Sequence, residues 1–489
     1  MAVPEPDANR NAPDAGRAAI TELLSRVAPV AEDLAGRFAA AGHELALVGG
    51  PVRDALLRRP TKDVDLTTDA PPNRVLELID GWADAVWTIG IEFGTVGLRK
   101  DGHELEITTY RSETYDPKSR KPEVSYGTSL VEDLRRRDFA VNAMAVKLPA
   151  YEFVDPFGGL VDLGAGLLRT PGLPEDSFGD DPLRMLRAAR FASQLGFSVA
   201  PDVVAAMSAM ADRIEIVSAE RVRDELSKLL CGAHPREGLA LLVDTGLAAH
   251  VLPELPKLRL EIDEHHRHKD VYEHSLIVLE QAIAQEEDGP DLVLRLAALL
   301  HDIGKPKTRR FESGGRVSFH HHEVVGAKMA RKRLTELRYP KDVIGDVSRL
   351  VELHLRFHGY GTGEWTDSAV RRYVRDAGPL LSRLHKLTRA DCTTRNRRKA
   401  DRLRRTYDEL EERICRLAEE EELASIRPEL DGNEIQRILG IRPGPLVGKA
   451  YKHLLDLRLD QGPVGKDAAT EHLLAWAAEQ GIGPAEGER

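Results

Sequence analysis

The hydrophobic pattern of the chain changes near Thr170, and this change restricts the fold more than any other feature. Before it, the apolar segments are short, partly β-branched and separated by Gly or Asp, as in Val64–Thr67 and Thr95–Leu98, which is typical of a small sheet. After it, apolar residues such as Leu226 and Leu229 recur at helical spacing. The pattern predicts an α+β protein in which a small mixed-sheet head precedes a mostly α-helical body.

The length and the proline-bearing stretches predict how the body is divided. At about 100 to 200 residues per domain, a chain of 489 residues corresponds to roughly three or four domains. The predicted segments are a disordered tail at 1–17, a head at 18–170, a helical neck at 171–255, a helical domain at 256–425 and a helical C-terminal segment at 426–489.

Composition excludes several classes of protein. With 42% hydrophobic and 30% charged residues, the chain is neither collagen-like nor wholly disordered. It has no run of about 18 apolar residues and no signal-like start, so we expect a cytoplasmic protein without a membrane span. The 3 scattered cysteines argue against disulfides and thiolate zinc sites. Because the formal net charge is −11, any nucleic-acid contact requires a local basic patch.

Gly49 and Gly50 lie between a predicted buried strand, Leu45–Val48, and a predicted helix. Glycine lets the backbone approach a ligand closely, and the amino end of a helix favours anions. A triphosphate could therefore bind at this turn with Arg53 assisting. The alternative is a plain strand-to-helix turn.

Asp63 and Asp65 follow shortly after this turn. On a strand, side chains at i and i+2 point to the same face, so both carboxylates can share a pair of divalent cations. Such a pair activates an attacking hydroxyl and stabilises leaving pyrophosphate. The alternative is a solvated Asp-x-Asp on an edge strand.

The segment GGPVRDALLRRPTKDVDLTT at 49–68 resembles the class II transfer-RNA nucleotidyltransferases, the CCA-adding enzymes, and the related bacterial poly(A) polymerases. RRRDFAVNAMA at 135–145 and DPFGG at 155–159 resemble further segments of that family. The resemblance implies a polymerase-beta-like nucleotidyltransferase head that uses Mg2+, CTP and ATP and acts on transfer RNA. It also implies that Arg137 supports the sugar and triphosphate of the nucleotide.

A second constellation has the chemistry to select a base. Asp181, Arg184 and Arg187 are three residues apart on a predicted helix and line one face, and Arg190 follows at the same spacing. A carboxylate accepts from an exocyclic amine while a guanidinium donates to a ring acceptor, so Asp181 with Arg184 would accept cytosine and adenine and reject guanine and uracil. The family has Glu where this chain has Asp180. An ordinary surface salt bridge is the alternative.

Three further segments have weaker interpretations. The polar segment 111–122 resembles the loop of CCA-adding members that CC-adding members lack, although a plain surface loop explains it equally well. Arg221 and Glu225 resemble a family segment that would brace the helix of Arg184. The segment 383–405, with 10 Lys or Arg against 2 Asp, would either grip an RNA backbone or form a solvated helix face.

Histidines and aspartates are spread through the helical region, around the string LLHDIGK at 299–305. This string resembles the HD domain, a helical metal-dependent phosphohydrolase fold. Imidazoles and carboxylates from separate helices can bind one or two divalent cations, which then generate hydroxide. Lone surface or core imidazoles are the alternative. The candidate ligands are His274, His301, Asp302, His322, His354 and Asp391.

His322 is preferred over His320 and His321 because the family pattern has its histidine directly before Glu323. The resemblance implies phosphatase or 2′,3′-cyclic phosphodiesterase activity on RNA ends.

The combined prediction is a nucleotidyltransferase head followed by a mostly helical body that includes an HD domain. It would add CCA to the 3′ end of transfer RNA without a nucleic-acid template and release pyrophosphate. A poly(A) polymerase, and an HD phosphohydrolase whose head only binds, are the alternatives. The sequence predicts no oligomeric state.

Overall fold

The computed structural model describes residues 30–60, 64–114, 123–127, 129–259, 270–313, 316–359, 365–393, 397–421 and 427–482. The chain forms two compact units, Met1–Pro253 and Glu254–Arg489. Their division lies beside the predicted boundary at 255, whereas the boundaries predicted at 170 and 425 lie inside the units and stay predictions.

The first unit begins with a sheet and ends with helices. Its described helices are α1 (30–40), α2 (Gly50–Leu56), α3 (Pro72–Ile79), α4 (Leu130–Arg135), α5 (Gly159–Ala165), α6 (Pro174–Asp180), α7 (Leu183–Leu195), α8 (Pro201–Ala209), α9 (Ala219–Leu230), α10 (Pro235–Asp244) and α11 (Ala248–Val251). Its strands are β1 (Leu45–Val48), β2 (Val64–Thr68), β3 (Ala85–Trp87), β4 (Thr95–Lys100), β5 (His103–Thr109), β6 (Arg111–Thr114), β7 (Glu123–Tyr126), β8 (Ala145–Leu148), β9 (Glu152–Val154), β10 (Leu167–Leu168) and β11 (Ser198–Val199).

A seven-stranded sheet forms the head, in the order β3-β4-β5-β2-β1-β8-β9. β2 and β5 are parallel, and the other neighbouring strands are antiparallel, so the predicted mixed sheet is confirmed. Every residue of β1 is buried, because strands pair with it on both edges and the first unit covers both its faces. This buried strand leads directly into the Gly49-Gly50 turn.

The first residues of the polar segment 111–122 form a strand, where a loop was predicted. Residues 111–114 are β6, which pairs antiparallel with β7 so that Arg111 lies opposite Tyr126. Residues 115–122 lie outside the described part of the chain. The sequence of the segment is polar, and polarity alone does not distinguish a strand from a loop.

The predicted boundary at 170 is bridged by backbone pairing. β10 lies before it and β11 lies after α7, and the two pair in parallel with Leu167 beside Ser198. A parallel pair needs a crossover connection, which α6 and α7 supply. The head and α7, the helix predicted to select the base, are therefore tied together within one unit.

The second unit is predominantly helical. Its described elements are α12 (Val271–Ile283), α13 (Leu292–Leu300), α14 (Lys305–Thr308), β12 (Arg310–Glu312), β13 (Arg316–Ser318), α15 (His322–Glu336), α16 (Lys341–Leu353), α17 (Asp367–Ala377), α18 (Leu381–Asp391), α19 (Arg397–Glu421), α20 (Gly432–Leu439), α21 (Pro445–Gln461) and α22 (Lys466–Glu479).

The apolar helix α13 packs against α12, α16 and α18, which places the end of α13 among three other helices. Near the C-terminus, α20, α21 and α22 enclose a separate core around Ile435, Leu454 and Leu473. None of the helices in the described ranges combines the length and the hydropathy that crossing a bilayer requires.

Candidate functional sites

The glycine turn of the head needs glycine for a steric reason. Gly49 has φ 78°, in the left-handed region that disfavours other residues. A β-carbon at this position would lie 2.9 Å from Nη1 of Arg137. The absent side chain thus lets the Arg137 guanidinium lie against the turn, where the sequence predicts a triphosphate.

Arg137 is held there by a buried carboxylate. Its Nη2 donates to Oδ2 of Asp133 over 3.4 Å, and Nε of Arg136 donates to Oδ1 of the same residue over 3.3 Å. Asp133 is 1% exposed. Because a buried carboxylate orients Arg137, a guanidinium of the kind that binds phosphates lies beside the turn.

Of the two predicted metal carboxylates, Asp63 lies outside the described residues. Asp65 is half-buried in β2, and in the parallel pairing with β5 its neighbour is Glu106. Paired residues of adjacent strands face the same side, so Glu106, which is exposed, is a third carboxylate beside the predicted pair. Glu106 was not predicted as a site residue, because the pairing of β2 with β5 is decided by the tertiary structure. The polar exposed positions 104 and 106 in β5 were the available signal.

Arg53 points into the protein, where it is 9% exposed. Its Nε and Nη2 donate to the two oxygens of Asp54 over 2.9 Å each, and its Nη1 donates to Oδ1 of Asn142 over 2.6 Å. Nδ2 of Asn142 donates to Oδ1 of Asp138 over 2.9 Å, and Oδ2 of Asp138 pairs with Arg187 at 2.6 Å. A continuous buried network therefore joins the glycine turn to helix α7.

Asn142 and Asp138 are functional candidates that the sequence analysis did not single out individually. They lie in the RRRDFAVNAMA segment, and both are almost fully buried. Burial raises the pKa of Asp138, but the Arg187 guanidinium and the Asn142 amide lower it by more, so the net shift is downward. Asp138 is therefore charged. It pairs directly with Arg187 and is connected to Arg53 through Asn142.

The predicted base-selecting pair, Asp181 and Arg184, lies at the start of α7. Asp181 precedes the helix in an extended conformation, and its Oδ1 accepts from the backbone N–H of Leu183 over 3.1 Å. Its Oδ2 pairs with Arg221 at 2.8 Å. Arg184 is 8% exposed and donates to the carbonyl of Ser177 and, over 2.6 Å, to the carbonyl of Arg136. Both side chains are thus fixed at the junction of the neck and the head.

Arg187 and Arg190, also predicted to bind nucleotide, are engaged within the protein. Arg187 pairs with Asp138, while Arg190 pairs with Glu225 at 3.2 Å and lies 4.2 Å from the ring centroid of Phe191. Glu225 therefore braces α7 through Arg190, while Arg221 on the same helix holds Asp181. Arg221 and Glu225, whose segment was expected to brace the helix of Arg184, thus contact Asp181 and Arg190.

The basic segment 383–405 contributes mostly internal ion pairs where its side chains are described. Arg383 pairs with Asp291 at 2.7 Å, and Arg389 pairs with Asp408 at 2.8 Å and with Glu411 at 3.0 Å. Such compensation favours the interpretation as a salt-bridged helix face over a continuous RNA-binding stripe.

In the second unit, all six predicted ligands come together. They form two groups of possible metal-binding atoms, each within 4.8 Å, from α12, α15 and α18 and from the turns after α13 and α16. Asp302 joins the groups, because its Oδ2 lies 3.2 Å from Nε2 of His301 and its Oδ1 lies 3.2 Å from Nε2 of His322. The groups are His274, His301 and Asp391, and Asp302, His322 and His354.

The choice among the three adjacent histidines agrees with burial. His322 is 7% exposed and begins α15, while the side chains of His320 and His321 are 71% and 84% exposed. Only His322 of the three contacts Asp302 among the described ion pairs.

The histidine rings are oriented as metal ligands require. Nδ1 of His301, His322 and His354 lies 2.7 to 2.8 Å from the backbone carbonyl three residues earlier, so each Nε2 faces the cluster. Nε2 of His322 faces Oδ1 of Asp302, and Nε2 of His354 is buried without a hydrogen-bond partner among the described residues. Burial lowers the pKa of His354 to about 3, which keeps its ring in the neutral form that binds metals. These donors fit one or two divalent cations.

Two neighbours of the cluster were missed. Nζ of Lys305 lies 2.6 Å from Oδ2 of Asp302, and Oγ1 of Thr393 lies 3.1 Å from Nδ1 of His274. Lys305 belongs to the LLHDIGK string, but its contact with Asp302 depends on the conformation of the turn after α13, which the string does not reveal.

Gly304 permits the close packing of that turn. A β-carbon there would overlap the backbone carbonyl oxygen of His322 and approach the N–H of Gly326. The turn carrying His301 and Asp302 therefore contacts the start of α15 directly, and this contact sets the separation between the ligands.

The head geometry, in which strand carboxylates, a glycine turn and the predicted base-selecting helix share one unit, is that of a nucleotidyltransferase. Family models agree with this class: Poly A polymerase head domain at 45–169, Probable RNA and SrmB-binding site of polymerase A at 196–258, and HD domain at 271–424. The chain is 37% identical over 359 residues to the A-adding tRNA nucleotidyltransferase of Deinococcus radiodurans, covering 72% of this chain and 80% of that protein. The chain belongs to the tRNA nucleotidyltransferase family.

Other similarities are more partial. The CCA-adding enzyme of Levilactobacillus brevis is 44% identical over 208 residues, or 42% of this chain and 51% of that enzyme, so the chain spans about half the length of this relative. In fold, the Bacillus stearothermophilus CCA-adding enzyme in complex with CTP matches with a TM-score of 0.66 and 24% identity, covering 92% of this chain and 98% of that chain. The Thermotoga maritima CCA-adding enzyme complexed with tRNA matches with a TM-score of 0.59 and 18% identity, covering 94% and 98%.

Proposed function

We propose that this chain adds CCA to the 3′ end of transfer RNA, using CTP and ATP and releasing pyrophosphate without a nucleic-acid template. The observation that carries the proposal is the buried network that joins the glycine turn to α7. Because one network fixes both the predicted triphosphate site and the predicted base-selecting site, a single nucleotide can be held at both ends.

In this mechanism, Asp63 and Asp65 hold Mg2+, and Glu106 is placed to assist. When bound, Mg2+ would activate the 3′ hydroxyl and neutralise negative charge on the departing pyrophosphate. Arg137, oriented by Asp133 against the glycine turn, stabilises triphosphate charge. Arg53 would add positive charge from its buried position next to the turn, where Asp54 and Asn142 hold it.

Base selection is assigned to Asp181 and Arg184. The carboxylate would accept from the exocyclic amine of cytosine or adenine, and the guanidinium would donate to the adjacent ring nitrogen. To do so, Arg184 exchanges its hydrogen bonds to the Ser177 and Arg136 carbonyls for bonds to the base. Arg187 and Arg190 are proposed to support the nucleotide by holding α7, through Asp138 and Glu225.

The test uses transfer-RNA transcripts that end before CCA, after the first C, and after CC. Each is incubated with Mg2+ and with CTP, ATP, GTP and UTP, singly and together. A CCA-adding enzyme extends all three and stops at CCA. Extension of the CC transcript alone would identify an A-adding enzyme, and an unlimited A ladder would identify a poly(A) polymerase; either result overturns the proposal.

Arg184→Ala tests the base-selecting role in the same assay. We expect increased incorporation of GTP and UTP relative to CTP and ATP. Arg213→Ala is the matched control, because Arg213 also donates to a backbone carbonyl of α6, that of Gly179, but is not assigned to the base. Unchanged nucleotide preference in Arg184→Ala would reject the assignment.

A second candidate function is a phosphohydrolase in the second unit, supported by the six converging ligands. Divalent cations held there would supply hydroxide to a phosphate ester at an RNA end. The test measures ring opening of a terminal 2′,3′-cyclic phosphate on short RNAs, by water, to a phosphate monoester with Mg2+, Mn2+ or Ni2+. His301→Ala should abolish hydrolysis and leave nucleotide addition intact. Since transfer RNA, CTP and ATP are the proposed substrates, we also propose that the protein acts in the cytoplasm.

A further inference from the structure

A β-hairpin lies between two of the segments that supply metal ligands in the second unit. β12 and β13 pair antiparallel, with Phe311 opposite Val317, and the hairpin separates the His301-Asp302 turn from His322 at the start of α15. Every residue of β12 is exposed, so this strand of the hairpin is not part of the described core. A segment that is anchored at both ends beside a metal cluster, and is not needed for packing, is placed to contact whatever the cluster acts on.

Phe311 is the unusual residue of this hairpin. It is 71% exposed although the ring is large and apolar. The Arg309 guanidinium lies 4.7 Å from the ring centroid, so a cation approaches the ring while most of its surface faces solvent. An exposed aromatic ring paired with arginine is a common way for proteins to stack an unpaired base.

The hairpin connects to the metal cluster through Phe319. Side chains at i and i+2 along a strand share a face, so Phe319, directly after β13, follows Val317 on the face that carries Phe311. Nζ of Lys305 lies 5.7 Å from the Phe319 ring centroid and 2.6 Å from Oδ2 of Asp302. At about 3.3 Å per residue, Phe311 is roughly 7 Å further along the hairpin than Phe319.

The charges around the hairpin suit a phosphate backbone. The segment from 305 to 312 carries four cations, Lys305, Lys307, Arg309 and Arg310, against one carboxylate, Glu312. Lys307 and Arg310 are exposed. This local excess of positive charge contrasts with the net charge of −11 of the whole chain and favours a polyanion over an apolar or cationic partner.

We propose that the β12–β13 hairpin binds an unpaired nucleotide of the RNA substrate, with the base stacked on Phe311 and its phosphate near Arg309 and Arg310. The site would give the metal cluster a preference for single-stranded RNA ends. The inference concerns binding, and its catalytic consequence rests on the proposed phosphohydrolase function.

The experiment compares the full-length protein with Phe311→Ala and Phe311→Trp. The control, Leu474→Ala, removes a half-exposed apolar side chain from α22, far along the chain from the cluster. Binding is measured in EDTA, from the quenching of 2-aminopurine near the end of a short single-stranded RNA. Hydrolysis is measured with Mn2+ on the same RNA carrying a 2′,3′-cyclic phosphate, and on a duplex whose end is base-paired.

We expect Phe311→Ala to weaken the quenching-detected binding about tenfold and to raise KM for the single-stranded substrate by a similar factor, with little change in kcat. Phe311→Trp should restore both, and Leu474→Ala should resemble the wild type. The duplex should be insensitive to all three changes. A merely structural role for Phe311 would instead change kcat and both substrates together.

Equal binding by wild type and Phe311→Ala overturns the proposal, even if hydrolysis is intact. Phe311-dependent quenching without any hydrolysis would support the nucleotide site while rejecting the phosphohydrolase function. If Phe311→Ala changes only self-association in sedimentation, the hairpin is a protein contact and the proposal is wrong.

Discussion

Nη1 of Arg53 donates to Oδ1 of Asn142 over 2.6 Å, although the two residues are 89 positions apart in the chain. Arg53 follows the glycine turn, and Asn142 belongs to the segment between α4 and β8. Both side chains are buried, so neither can exchange this bond for water without opening the head. The bond thereby makes the position of the predicted phosphate-binding arginine depend on a distant part of the sequence.

Asn142→Ala should lower both stability and nucleotide addition. The substitution removes the buried Asn142 bonds to Nη1 of Arg53 and to Oδ1 of Asp138, which we expect to cost about 1–3 kcal/mol in the free energy of unfolding. Urea unfolding measures this cost, and transcript extension measures the activity. Asn73→Ala, at an exposed position of α3, is the matched control and should change neither. An Asn142→Ala protein with wild-type stability and activity would contradict the network.

Asp65→Ala should abolish nucleotide addition while the protein stays folded. Loss of a metal ligand removes several kcal/mol of transition-state stabilisation, so we expect a rate at least roughly 100-fold lower. Glu106→Gln should give a smaller loss if the third carboxylate assists. Single-turnover extension and circular dichroism are the two measurements. Retained activity in Asp65→Ala would refute the placement of the metal.

Asp138 should make the first unit sensitive to acid. Its pKa in the folded protein is lowered, so its charge stabilises the fold above the unfolded value of about 4, and this stabilisation is lost as the pH falls through the lower folded value. Asp138→Asn should therefore be less stable at pH 7 and lose less stability on acidification. Urea unfolding between pH 3 and 7 tests this, with the exposed Asp80→Asn as control. Parallel pH profiles for wild type and Asp138→Asn would oppose it.

Gly304→Ala should disrupt the histidine-aspartate cluster. A β-carbon at this position overlaps the backbone of His322, so the turn and α15 must separate. We expect the second unit to lose about 1–3 kcal/mol in the free energy of unfolding and to bind less metal. Gly345→Ala in α16 has open space and should be neutral or stabilising by up to about 1 kcal/mol. If Gly304→Ala and Gly345→Ala changed the free energy of unfolding equally, the packing argument would be wrong.

His322→Gln should reduce the content of divalent metal in the purified protein, because it removes a buried imidazole that faces Asp302. His320→Gln, at a position with 71% side-chain exposure, should leave the metal content unchanged. Elemental analysis after dialysis against Mn2+ compares the two variants. If only His320→Gln lost metal, the ligand would be His320 and the assignment to His322 would be wrong.

The sequence by itself determined the features that depend on local chemistry. The glycine turn, the Asp-x-Asp pattern and the helical periodicity after Thr170 predicted the mixed-sheet head and the helical body, because turn geometry and hydrophobic period are properties of neighbouring residues. The six cluster residues were also named from the sequence, because the LLHDIGK string and the histidines spread around it resemble the HD domain.

Only the tertiary structure decided which distant groups meet. The parallel pairing of β2 with β5 placed Glu106 beside Asp65, and the packing of α7 turned Arg187 toward Asp138 instead of toward open solvent. Neither contact has a signature in spacing, because each joins segments separated by tens of residues. For Asp138, burial then fixed the outcome: a carboxylate removed from water takes the nearest opposite charge, and the fold determines which charge is nearest.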